Sequence, residues 1–166
     1  MLGSRPTQLA GLAVLLVATA AQLGLAAEPQ QSSASHELRV GATAVDISPT
    51  HFPVIVNGMF EERTADRTVD PLFARAFVLD DGHTRIAIVV VDSCMLPREL
   101  LDAAKTEAFK RTGIPTDHIL ISATHTHSAP ASMGCLGSRP DPEYPAFLIP
   151  RLASAIQTAA EKLQPA

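Results

Sequence analysis

Residues 85–124 constrain the fold more than any other stretch of the chain. Ile86–Val91 is an unbroken apolar run rich in β-branched side chains, the pattern of a central strand covered on both faces. Asp92 ends the run, and Pro97 stands where a helix's first turn accepts proline. Between Pro97 and Thr112, Leu100, Leu101, Ala104, Ala108 and Phe109 fall near helical spacing, and Gly113 is placed to cap the C-terminus. Ile119-Leu120-Ile121 is a second apolar run. Strand, helix and strand in this order predict a β-α-β unit with parallel strands and a right-handed crossover.

Flanking segments extend that unit into a mixed sheet. Phe73–Leu79 reads as a strand, and Asp80-Asp81-Gly82 joins it to the strand from Thr84 as an antiparallel hairpin. Leu38–Ile47 alternates well enough for another strand, ended by Ser48-Pro49. Val54–Val56 predicts a short strand followed by an Asn57-Gly58 turn, and the charged stretch Glu61–Asp70 is expected on the surface. Met133–Pro142, with its glycines and prolines, reads as loop. Tyr144–Leu163 reads as an amphipathic helix in which Pro150 imposes a kink or a start near that residue. The expected class is α/β, a mixed sheet with helices on the faces, as a fragment of a larger α/β domain.

Residues 1–27 are expected to be a signal peptide. Arg5 precedes the apolar stretch Leu9–Leu25, and Ala26 and Ala27 offer a cleavage site. The stretch is near the lower length limit for a membrane span, so export is the reading preferred over an anchor. Residues 28–37 follow as a flexible leader holding His36, and residues 38–166 form the domain. Arg5 is the one charge in residues 1–27, so of 13 Lys and Arg, 12 remain against 17 Asp and Glu, a net −5. That balance, with scattered basic residues and few aromatics, excludes nucleic-acid binding. Cys94 and Cys135 are expected near one edge of the sheet, as a disulfide or as two buried thiols; their spacing matches no zinc ribbon.

Chemistry concentrates where the second parallel strand ends, at Thr124-His125-Thr126-His127-Ser128. If the extended form persists, alternation puts His125 and His127 on one face with Cβ atoms roughly 6–7 Å apart. Two imidazoles so placed suit one metal, or a metal and a substrate beside it; an exposed polar strand end is the competing reading. Open α/β sheets bind ligands outside the carboxyl ends of their strands, where Asp92 and His125 both stand. Asp92 is thus a candidate to orient a ligating histidine or to hold a metal-bound water, or alternatively a helix-entry cap or turn residue. His51, His83 and His118 fall in an irregular segment, a hairpin turn and the far end of the strand. Arg139 reads as a solvated arginine or an anion ligand.

The order Gly41–Pro49, Leu72–Val78, Val89–Asp92 and Ile121–Ser128 resembles the N-terminal part of the neutral/alkaline, non-lysosomal ceramidase family. The resemblance covers roughly residues 38–163, and Thr124–Ser128 is its most specific piece. It implies a zinc-dependent amidase cleaving the N-acyl bond of ceramide, a lipid amide substrate and peripheral contact with a membrane. It implies His125 as a zinc ligand and His127 as the catalytic residue beside the substrate amide. Two departures stand out. Ala129 and Ala131 replace the family's glycines, and the remaining family ligands, a histidine, a glutamate and a tyrosine, come from further downstream than Ala166. The sequence therefore also admits a non-catalytic remnant or lipid-binding module, or a hydrolase of another amide or ester. From His125, helped by His127 or Asp92, only weak zinc binding and no amidase activity are expected of residues 28–166.

Overall fold

The computed structural model describes residues 37–166. The expected signal peptide, most of the leader and His36 lie outside the described residues. The main sheet has five strands: β1 (Arg39–Asp46), β4 (Phe73–Asp80), β5 (Arg85–Val91), β6 (Ile119–Ala123) and β7 (Gln164–Pro165), in the spatial order β6-β5-β4-β1-β7. A separate two-stranded hairpin pairs β2 (Val54–Val56) with β3 (Arg63–Ala65). The helices are α1 (Arg98–Thr112) and α2 (Tyr144–Glu161).

The β-α-β reading is borne out. β5 and β6 run parallel in register from Ala87↔Ile119 to Val91↔Ala123, with α1 between them in the chain. β4 pairs antiparallel with β5 and with β1 along its length. In the β4–β5 turn, Gly82 takes a positive φ of 86°, and Asp81 Oδ1 accepts bonds from the backbone N–H of His83 and Thr84 at 2.9 and 2.7 Å. Gly113, at φ 73°, closes α1 by donating its N–H to the Phe109 carbonyl at 2.8 Å.

Both helices pack on one face of the sheet, against Ala76, Val78, Val89, Val91, Ile119 and Ile121. α1 supplies Leu100, Ala104 and Ala108; α2 supplies Leu148, Leu152 and Ile156. Burying each large aliphatic side chain contributes about 1.5–3 kcal/mol. Gly41 on β1 lets α2 approach so closely that a Cβ there would overlap the Ala159 carbonyl.

Four details differ from the sequence reading. Phe109, expected on the inner face of α1, is 49% exposed. Nine residues at 3.6 per turn set it about 180° from Leu100. The opposite face of the sheet is open among the described residues, with Ile86 38% and Leu120 56% exposed. α2 begins at Tyr144 and runs through Pro150. Proline removes the bond to Ala146, and Ala146 is exposed, so its carbonyl can turn to water. The charged stretch contains β3, which pairs with β2 although it is largely exposed itself. No helix among the described residues is long and apolar enough to cross a membrane.

Candidate metal centre at the carboxyl end of the parallel strands

The strand β6 stops at Ala123, so the histidines do not continue its alternation. The Thr124 N–H still donates to the Val91 carbonyl at 2.9 Å, and the Thr126 N–H donates to Ser93 at 3.1 Å. Between them His125 turns into the left-handed region at φ 64°. That conformation is uncommon for a residue bearing a Cβ, though histidine is among those enriched there, and such residues cluster at functional sites. The expected meeting of the two imidazoles occurs, but through this turn. Their ring centroids lie 4.7 Å apart at an interplanar angle of 69°.

His125 Nδ1 lies 2.9 Å from the Cys94 carbonyl oxygen. A carbonyl can only accept, so Nδ1 carries the proton and the neutral ring presents its lone pair on Nε2. A backbone carbonyl on the other ring nitrogen is the usual way a metal-ligating histidine is oriented. Cys94 contributes a second feature. Its Sγ, one ring nitrogen of His125 and one of His127 all lie within 4.8 Å of one another. A zinc ion with bonds of about 2.0–2.3 Å wants donors about 3.3–3.7 Å apart in a tetrahedron. Donors within 4.8 Å of one another can meet one such ion once their spacing closes by up to about 1.5 Å.

The neighbours of this group are fixed from several elements. His127 packs against Gly58, which has φ 103°. A Cβ at Gly58 would sit 2.6 Å from His127 Cγ. The hairpin carrying Gly58 is tied to the segment after His127: Ala131 N–H donates to Ile55 at 2.7 Å, Asn57 N–H donates to Ala129 at 3.4 Å, and Val56 bridges Pro130. Asp141, 3% exposed, accepts from the N–H of Ile55, Glu143 and Tyr144 at 3.0, 3.1 and 2.9 Å. Burial pushes its carboxyl up, but those bonds outweigh burial and leave it below the usual range. Burial pushes the Cys94 thiol up, and the adjacent Cys135 acts in the same direction. A thiol raised in this way is a poor nucleophile. Both cysteines are free thiols.

Other sequence candidates are placed differently. The Asp92 carboxylate accepts from Phe73 N–H at 2.9 Å and from Arg75 Nη1 at 2.8 and 2.9 Å. It is thus bonded toward β4, and the orienting bond to His125 comes from Cys94 instead. Thr124 and Thr126 bond each other through their hydroxyls at 2.6 Å. Arg139 is paired with Glu62 at 2.7 Å, and those bonds hold the Glu62 carboxyl at about 2. His118 Nδ1 meets the Arg85 carbonyl at 3.1 Å, and His51 stands 3.7–3.8 Å from Glu143 and Asp141. Cys94 is the donor that sequence reasoning missed; its place just beyond β5, level with the strand end carrying His125, was the available signal.

A cavity of about 390 Å³ is lined in part by Ser128, the residue that follows His127 in the chain, while neither His125 nor His127 lines it. Ser128 and Pro130 form one wall, with Phe52, Val54, Val56 and Leu72 as its apolar lining and Arg63 and Arg67 also bordering it. Its volume is in the range of small-molecule sites.

No family model matches the chain. Solved structures do. "Crystal Structure Analysis of neutral ceramidase from Pseudomonas aeruginosa" matches with a TM-score of 0.68 and 22% identity over 78% of this chain. "Ceramidase complexed with C2" matches with a TM-score of 0.60 and 20% identity, again over 78% of this chain. The chain spans 22% of the length of each. Over the matched region, the strand and helix framework that presents His125 and His127 has the fold found in neutral ceramidase.

Proposed function

We propose that this chain supplies part of the active site of a zinc-dependent amidase that hydrolyses the N-acyl bond of ceramide or a related lipid amide. The observation that carries the reading is the His125 turn, in which a left-handed backbone and the Cys94 carbonyl aim one free imidazole nitrogen beside His127. His125 would hold zinc, which supplies Lewis acidity toward an amide carbonyl and toward water. His127, kept in place by Gly58, would face the amide and stabilise charge developing on its oxygen. The cavity that Ser128 helps to line would take one alkyl chain of the substrate against Phe52, Val54, Val56 and Leu72. Likeness to the ceramidases in fold supports the lipid amide class, and the composition of residues 1–27 supports export.

A second reading keeps the hydrolase and changes the substrate to another amide or ester. It is favoured by Ala129 and Ala131, both fully buried where the family has glycine, since a Cβ in that loop alters its shape. Two assays on a longer homologous protein that carries the downstream ligands separate the readings: zinc content of wild type and of the variant that replaces the histidine matching His125 by alanine, and product analysis with ceramide against simple N-acyl amides. Zinc retained unchanged by that variant would remove the ligand assignment.

A further inference from the structure

The family resemblance leaves His125 as this chain's one assigned ligand. The structure puts a sulfur beside it. Cys94 lies just beyond the end of β5, 1% exposed, with its Sγ in the group formed by the two imidazoles. The same residue fixes the His125 ring through its carbonyl. One residue thus orients one donor and carries another, and the pairing of β5 with β6 sets the spacing between sulfur and imidazole. We propose that Cys94 Sγ binds the same zinc ion as His125, so that this chain's own ligand set is a cysteine and a histidine. The inference rests on the reading of His125 as a zinc ligand.

Charge supports the assignment. Zinc is a dication, and two neutral imidazoles do nothing to neutralise it. Asp92, the carboxylate expected nearby, has both oxygens engaged by Arg75 and Phe73. The hydroxyls of Thr124 and Thr126 are engaged with each other. Among the described residues, Cys94 is the group in the cluster that can become an anionic ligand. Binding is a simple exchange: the S–H bond breaks, its proton leaves to solvent, and the sulfur pair forms the bond to zinc. Nothing is oxidised. A Cys–His pair with further donors is an established kind of zinc site. A buried thiol with no nucleophilic role thereby gains a function.

The test is cobalt substitution of the zinc-free protein, read by absorption. Wild type is expected to show a thiolate-to-cobalt charge-transfer band in the near ultraviolet that zinc abolishes by competition. Cys94→Ser should lose the band and weaken zinc binding by at least about tenfold. Cys135→Ser and His127→Ala should keep the band. Should Cys94→Ser fail to fold, zinc-edge X-ray absorption on the wild type replaces it, with one sulfur expected at about 2.3 Å. Zinc binding that depends on His125 but shows no sulfur, or a band that survives Cys94→Ser, overturns the inference and leaves the His125 reading standing. Metal binding indifferent to His125→Ala, or no metal uptake at all, overturns both.

Discussion

Gly58→Ala is the substitution whose cost the structure specifies most closely. Two penalties combine at this position. The backbone sits at φ 103°, outside the regions open to a residue with a Cβ. Holding alanine there costs about 1–3 kcal/mol. The new Cβ would also lie 2.6 Å from His127 Cγ, 2.8 Å from its Nδ1 and 2.9 Å from its Cβ. Relieving those contacts to van der Waals distance moves the ring by nearly an ångström, and overpacking of this kind costs about 1–3 kcal/mol. The expected total is about 2–6 kcal/mol, a fall in melting temperature of roughly 6 °C or more. Thermal unfolding measured for Gly58→Ala, His127→Ala and the double variant separates the two penalties. His127→Ala removes the Cγ and Nδ1 contacts and keeps the Cβ contact, so the double variant should recover about 1 kcal/mol relative to Gly58→Ala. A Gly58→Ala protein within about 0.5 kcal/mol of wild type, or a double variant with no recovery, would refute the packing of His127 on Gly58.

Three further outcomes are expected. Asp141, whose folded carboxyl is held low, should contribute stability that is present above the unfolded carboxylate value of about 3.9 and lost as pH falls through the still lower folded value. Asp141→Asn should flatten that acid limb in denaturant titrations run at pH 2 to 6. Asp92→Asn should weaken the contact with Arg75 and leave zinc affinity far short of the tenfold to hundredfold loss that removing an orienting partner brings; a loss of that size in calorimetry would return Asp92 to the metal site. Leu120→Lys, on the open face of the sheet, should change stability by no more than about 0.5 kcal/mol, and a loss beyond about 2 kcal/mol by chemical denaturation would mean that this face is covered.

The sheet was legible in the sequence because its signals are local. Asp81-Gly82 specifies a hairpin, and Pro97 and Gly113 bound a helix between two apolar runs that can only be parallel neighbours. β3 was hidden because Arg63 and Thr64 are exposed and carry no apolar pattern; its partner β2 supplies the burial. Both histidines were identified, yet the geometry that joins them was not, since period-two alternation assumes a strand and His125 leaves it. Cys94 could not be tied to them by spacing. It lies 31 residues from His125, and only the pairing of β5 with β6 brings their carboxyl ends level. Asp92 stood at the right strand end, but Arg75 on the neighbouring strand, an exposed arginine in an otherwise apolar run, claims its carboxylate.

Calorimetric titration of the zinc-free protein with zinc, wild type beside His125→Ala, tests the account most directly. The geometry predicts one ion per chain for wild type, tighter than the weak binding expected from a single histidine, and a loss of at least about tenfold in His125→Ala. Equal binding by the two proteins, or none by the wild type, would contradict the assignment of this strand end as a metal centre.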